Sequence, residues 1–270
     1  MYIYYNDKLV KETCLDLRSQ GFQFGYGVFE TILVKGGVPC FVDMHYKRLI
    51  KACSRLGLEP RLDMETINKQ AKKLSQVNDI IEGRLKIICF RDTEADAALM
   101  TLSHYKQDDE HIQKGISLGT SSIMRNPHSP MTYIKSLNYT ENILAKAEVK
   151  SKGYDEALFL NIYSKLCEGA VSNIFWIKDN VIYTPDLNCG LLDGITRRQV
   201  LDICSLLGLS FKIGSYDLIE LLQVDEVFIT NSLMGIMPVC RVDNTTYNIS
   251  GYKITKKLQE EYVKRLYEEI

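Results

Sequence analysis

Four short stretches of this 270-residue chain carry side chains suited to one chemistry. Lys135 stands in Tyr133-Ile134-Lys135-Ser136-Leu137-Asn138-Tyr139, and its amine suits covalent attachment to an aldehyde. Glu168 opens Glu168-Gly169-Ala170-Val171-Ser172-Asn173, between two strand-like runs. A carboxylate there could keep an aromatic ring nitrogen protonated. Gly194-Ile195-Thr196 opens a helix, whose first N–H groups suit a dianionic phosphate. Asn231-Ser232-Leu233-Met234-Gly235 follows a third strand-like run. Alone, each piece has a plainer reading, since a lone Lys is ordinarily a solvated surface residue. Together, the amine, the carboxylate and the helix start supply what pyridoxal 5'-phosphate (PLP) requires.

These stretches need a scaffold of strands and helices. Tyr2–Tyr5 and Lys8–Val10 flank Asn6-Asp7, a hairpin signal. The Gly-rich segment 20–31 reads as a loop entering a strand over Val28–Val34, and Gly36-Gly37 turns the chain into Val38–Val42. Asp43 is placed to cap a helix from Met44 to about Leu56, stopped by Gly57. On it, Arg48 reads by itself as a surface or salt-bridge residue. A second helix is expected over Met64–Val77, and strands over Leu85–Arg91, Leu99–Tyr105 and Ile116–Thr120. Alternation sets Lys86, Ile88 and Phe90 on one face of the first of these strands and Leu85, Ile87, Cys89 and Arg91 on the other.

The Pro-containing polar run 121–132 reads as a crossing loop, and the domain boundary is set beside it. That gives an N-terminal α/β domain over 1–119 and a C-terminal cofactor-binding domain over 120–270. In the second half, helices are expected at 140–152, 196–207, 216–222 and 252–267, with strands at 157–161, 172–178, 181–184, 210–213 and 226–230. Many short hairpins and no regular βαβ succession make the class mixed α/β (α+β) and argue against a doubly wound sheet.

Composition narrows the function. A hydrophobic fraction of 46% with 25% charged residues is that of a soluble globular protein. Net charge −1 gives no electrostatic case for nucleic acid or an anionic membrane, and no apolar run is long enough to span one. The eight Cys form no C-x-x-C pair and there are four His, so no metal is expected. Dispersed Cys behind an N-terminus that lacks signal-peptide features read as reduced and cytoplasmic.

In order and spacing, the motifs resemble the class IV (fold-type IV) PLP-dependent aminotransferases over nearly the whole chain. The resemblance is carried by Gly25-Tyr26-Gly27-Val28-Phe29-Glu30-Thr31, His45-Tyr46-Lys47-Arg48-Leu49, Lys135 with Asn138, Glu168 with Ser172-Asn173, and Gly194-Ile195-Thr196-Arg197. It implies a two-domain fold, with a smaller N-terminal α/β domain and a larger C-terminal domain built on a mixed, barrel-like sheet. It also implies PLP as cofactor, a small-molecule substrate and a homodimer. Lys135 would be the catalytic residue, holding PLP and then moving protons, and Glu168 would pair with the pyridine nitrogen. Arg48 would bind the phosphate with Gly194, Ile195 and Thr196, and Tyr139 would donate to the ring oxygen. Ser172, Asn173, Asn231 and Ser232 would complete the cofactor contacts, and Phe29, Lys86, Arg91 and Met234 would face substrate.

Two segments resemble the aminodeoxychorismate lyases of that family: Asn231-Ser232-Leu233-Met234-Gly235-Ile236-Met237-Pro238-Val239, and Leu85-Lys86-Ile87-Ile88 with Arg91. The resemblance thus implies conversion of 4-amino-4-deoxychorismate to p-aminobenzoate and pyruvate, a step of folate biosynthesis. The acidic Asp92-Thr93-Glu94-Ala95-Asp96 departs from the Gly-rich stretch that often follows in the lyases. A branched-chain or D-amino acid aminotransferase is the alternative. Phe29, where the D-specific enzymes carry Tyr, counts against D-specific transamination. A non-catalytic binding protein of the same fold ranks last, because Lys135 and Glu168 are both present.

Overall fold

The computed structural model describes residues 1–107 and 109–269. Two compact units emerge: Met1–Gln107 with Ile134–Tyr139 and Leu266–Ile270, and Asp108–Tyr133 with Thr140–Arg265. The boundary expected at 119/120 falls inside the second of these, because Ile116–Thr120 pairs with strands later in the chain.

The first unit contains β1 (Ile3–Tyr5), β2 (Lys8–Val10), α1 (Gln20–Phe24), β3 (Gly27–Lys35), β4 (Val38–Pro39), α2 (Val42–Arg55), α3 (Met64–Asn78), β5 (Gly83–Arg91) and β6 (Asp96–His104). Its six strands form one antiparallel sheet in the order β2-β1-β6-β5-β3-β4. Asn6 and Asp7 both adopt positive φ, as a two-residue type I′ hairpin turn demands. The expected Gly-rich loop contains a short helix instead. Ser19 caps α1 by accepting from Phe22 N–H at 3.2 Å, and Gly25 ends it at φ 62°. Helix α2 begins two residues earlier than expected, with Phe41 at the cap position and Asp43 inside the first turn. Apolar residues Leu49, Cys53, Ile67, Ala71 and Leu74 of α2 and α3 are buried where the helices pack on β3 and β6.

The second unit continues with α4 (Asp109–Lys114), β7 (Ile116–Thr120), α5 (Thr140–Ser151), β8 (Glu156–Leu160), β9 (Leu166–Gly169), β10 (Asn173–Lys178), β11 (Val181–Pro185), α6 (Ile195–Leu206), β12 (Phe211–Gly214), β13 (Glu226–Asn231), β14 (Gly235–Val242), β15 (Thr245–Thr246) and α7 (Ile254–Glu268). Helix α7 runs on from this unit into the Leu266–Ile270 segment of the first. Strands β10, β13, β14, β7, β8 and β9 follow one another by hydrogen bonding, and β9 returns to β10 through Asn173 opposite Glu168. The ring is a closed six-stranded barrel with β7 parallel to β8 and β14, the mixed barrel-like sheet expected. All six strands send side chains into one apolar cluster, with Leu118, Leu158, Leu166, Trp176, Ile229 and Val239 among them. Residues 216–222, expected as a helix, make a single 3-10 turn over Leu218–Leu221.

Strand β3 anchors a buried polar network in the first unit. Alternation turns Glu30 towards α2, where its carboxylate accepts from Arg48 Nε and Nη2, each at 2.7 Å, and meets His45 Nδ1 at 2.7 Å. Glu30 and His45 are each 1% exposed. Burial alone would raise the Glu30 pKa, but the charges and hydrogen bonds of Arg48 and His45 outweigh it and bring it well below the usual carboxylate range. Burial lowers His45 despite Glu30. Only the Glu30 shift stabilises the fold at neutral pH; the His45 shift is a burial penalty on the charged ring, felt as pH falls through the ordinary histidine value. The Glu30 contribution is present above its unfolded value of 4.5 and is lost as pH falls towards the lower folded one. Glu30→Gln is expected to cost about 3 kcal/mol of unfolding free energy at pH 7, because it leaves Arg48 without its counter-ion. Urea unfolding of both proteins across pH will show the gap narrowing below pH 4.5.

Candidate active site

In the first unit the backbone places Lys135. Phe29 N–H donates to Lys135 O at 2.8 Å, Leu137 N–H donates to Gly27 O at 2.9 Å, and Val28 bridges Ser136. The segment 135–137 thereby pairs with the start of β3. The Lys135 amine stands 4.5 Å from the Phe29 ring centroid and 5.7 Å from that of Tyr139. These two rings meet edge to face at 5.4 Å. The Lys86 amine lies 4.8 Å from the same Phe29 centroid. Burial, helped by the Arg84 charge, pulls the Lys86 pKa below the ordinary lysine value. Lys135, Phe29, Tyr139 and Lys86 therefore form one cluster.

Arg91 stands apart from that cluster. The β5–β6 register runs without a shift from Gly83 to Arg91, so Lys86 and Arg91 point to opposite faces. Arg91 pairs with Asp96 at 2.6 Å, donates to Gly57 O and lies over Tyr26. Arg48 is held by Glu30, with 11% of its side chain exposed.

In the second unit Glu168 lies at the closure of the barrel, 6% exposed. Its Oε2 accepts from Leu192 N–H at 2.9 Å, and its Oε1 is 3.2 Å from Arg125 Nη2. Asn173, its partner across the ladder, donates to Leu192 O at 2.9 Å and pairs on its other side with Thr230. A Cβ on Gly194 would come within 2.0 Å of Asn173 Oδ1, so the start of α6 approaches this ladder closely. Gly194 caps α6 without a side-chain hydrogen bond, which leaves the N–H groups of the first turn without a side-chain cap. Ile195 and Thr196 are each 2% exposed, and Thr196 Oγ1 is 3.4 Å from Tyr262 OH. Asn231 Oδ1 accepts from Leu233 and Met234 N–H at 2.9 Å each, and Asn231 Nδ2 donates to Val171 O at 3.2 Å. Ser232 is half-buried in the same turn, and Met234 packs on the barrel cluster.

The hydroxyls of Ser172 and Thr230 are buried and find no partner among the described residues. A polar ligand would satisfy such atoms, and the uncapped helix start would satisfy a phosphate. The donors present thus fit the cofactor that the sequence implies.

In the sequence reading Glu30 and His45 stand inside motifs but carry no role, and Arg125 does not enter it. Glu30 leaves a signal, as a carboxylate inside the apolar run Val28-Phe29-Glu30-Thr31-Ile32. His45 stands three residues before Arg48, which places both on one side of a helix. Arg125 leaves no signal, since it precedes Asn126-Pro127 in a segment with the composition of a surface loop.

The class IV amino-transferase family model matches residues 27–242. Aminodeoxychorismate lyase of Bacillus subtilis is 31% identical, covering 98% of this chain and 94% of its own. D-alanine aminotransferase of Bacillus licheniformis is 30% identical over 91% of this chain and 90% of its own. The crystal structure of 4-amino-4-deoxychorismate lyase from Pseudomonas aeruginosa superposes with a TM-score of 0.84 at 26% identity, covering 96% of this chain and 97% of that one. This extent of match makes the chain, with its closed barrel and with Lys135 paired against the start of β3, a member of the class IV aminotransferase family.

Proposed function

We propose that the protein is a PLP-dependent 4-amino-4-deoxychorismate lyase, releasing p-aminobenzoate and pyruvate. The observation that carries the reading is the cluster of Lys135, Phe29 and Lys86: a base and a second cation over one aromatic ring. That arrangement suits a flat, carboxylated ring as substrate. The likeness to the Bacillus subtilis lyase over almost the full chain supports it. PLP, when bound, supplies an electron sink for the C–H bond being broken.

The chain's own residues do the rest. Lys135 would hold the cofactor and, once displaced by substrate, would take the proton from the amine-bearing carbon. Glu168 would be the carboxylate that keeps the cofactor's ring nitrogen protonated. Within the first unit Arg48, oriented by Glu30, would be a phosphate donor, and within the second the uncapped first turn of α6 has N–H groups suited to the same group. Tyr139 of the first unit would donate to the ring oxygen, and Ser172, Asn173, Asn231 and Ser232 are the second unit's candidate cofactor contacts. Lys86 would anchor a substrate carboxylate beside Phe29, and Met234 of the second unit is a candidate apolar contact. Arg91, committed to Asp96, serves the fold rather than the substrate. Loss of the enolpyruvyl group makes the substrate ring aromatic, and that group takes up a proton as pyruvate. No amino acceptor is consumed. We further propose a cytoplasmic homodimer that serves folate biosynthesis.

The second reading is a D-amino acid or branched-chain aminotransferase, favoured by the match to the Bacillus licheniformis enzyme. PLP-loaded protein given 4-amino-4-deoxychorismate and no keto acid is expected to form p-aminobenzoate over many turnovers, read by its fluorescence. Lys135→Ala is expected to lower the rate by about 10²–10⁴-fold or more. Absence of product, with activity on D- or L-amino acids plus 2-oxoglutarate, would establish the aminotransferase. For Lys86→Met, KM is expected to rise about 10- to 100-fold, the scale of one charged hydrogen bond, while Lys86→Arg retains most of the affinity. An unchanged KM in Lys86→Met would remove Lys86 from the substrate contacts.

A further inference from the structure

Arg125 is a buried arginine, 8% exposed, between β7 and α5. Main-chain bonds fix it: its N–H donates to Leu160 O at 2.9 Å, and its O accepts from Ile162 N–H at 3.0 Å. Its guanidinium lies 4.0 Å from the ring centroid of the buried Phe159. That face supports a cation without neutralising it. Two carboxylates reach it at similar distances, Glu168 at 3.2 Å and Glu141 at 3.4 Å. Their environments differ. The Glu141 side chain is 66% exposed and its charge is screened by water, whereas that of Glu168 is 8% exposed. The charge of Arg125 is therefore felt mainly by Glu168.

We propose that Arg125 is a positioning residue that holds Glu168 as the carboxylate anion, so that a proton shared between Glu168 and a cofactor ring nitrogen stays on the nitrogen. The inference rests on the PLP reading and deepens it. A buried carboxylate facing a ring nitrogen has two states. With the proton on nitrogen the pair is two charges; with the proton on oxygen it is neutral. Burial favours the neutral pair. A fixed third charge reverses the preference, and a guanidinium does not lose its proton in the physiological range. The Leu192 N–H on the other oxygen acts in the same direction. The ring is a strong electron sink only while its nitrogen is protonated, so Arg125 acts on the reaction through Glu168 without touching the reacting atoms.

The test uses the full chain loaded with PLP carrying nitrogen-15 in its ring. The nitrogen resonance of wild type and of Arg125→Lys is expected at the protonated position. That of Arg125→Met moves towards the unprotonated position, with kcat lowered about tenfold or more, a change of about 1.4 kcal/mol in the barrier. In a Glu168→Gln background, Arg125→Met is expected to change neither quantity. If Arg125→Met does not fold, Arg125→Gln replaces it with the same expectations. An unmoved resonance in a charge-removing variant overturns the proposal. So does an equal loss of kcat in the Glu168→Gln background, which would make Arg125 a packing residue. Wild type that takes up no PLP overturns the cofactor reading and the proposal with it, whereas loaded wild type beside an unmoved variant overturns the proposal alone.

Discussion

The first unit depends on one stretch of main-chain pairing, that of residues 135–137 with the start of β3. Lys135 is located by its carbonyl, which accepts from Phe29 N–H. The close approach requires glycine at 27, where a Cβ would stand 2.7 Å from both Cys89 O and the Leu137 side chain. Strand β3 then divides the chemistry by simple alternation. Phe29 meets the amines of Lys135 and Lys86, while Glu30, one residue on, turns to α2 and holds Arg48. A shift of one residue in this pairing would exchange the two faces.

Each unit buries a carboxylate beside an arginine, and the two pairs differ in kind. Glu30 meets Arg48 through two parallel bonds and receives His45 as well, so its oxygens are engaged in fixing one guanidinium. Glu168 meets Arg125 through one nitrogen at 3.2 Å and a backbone amide through its other oxygen. Buried ion pairs contribute little net stability compared with apolar packing of the same volume, because desolvation offsets the attraction. What such pairs do provide is fixed orientation.

Much of this was legible in the sequence, for identifiable reasons. Sharp turns and alternation revealed the β1–β2 hairpin, β3, β5 and the β10–β11 hairpin. Of the residues expected near a cofactor in the second half, Glu168 and Asn173 lie opposite each other on neighbouring strands and Gly194 abuts Asn173. The misses are also physical. Helix α2 starts at a left-handed Phe41, which no capping rule anticipates. Strand β14 carries Pro238 inside a continuous apolar run, which hides it from a rule that excludes proline from strand interiors. Barrel closure rests on a single pair, Asn173 with Glu168, and a contact between two residues has no periodicity to read.

The first unit is not built from one continuous run of chain. Phe41 N–H donates to Glu269 at 2.9 Å, and the Lys35 amine lies 4.3 Å from the Tyr267 ring, so its edge is finished by residues more than two hundred positions downstream. A ribosome delivers those residues after all of the second unit. Domains ordinarily fold in the order they are made. Here the sheet that is translated first is completed last, and the barrel, whose strands lie within one later stretch, is whole before it. The contacts of Phe41 and Lys35 with Glu269 and Tyr267 therefore become available only once the strands of the barrel have been made.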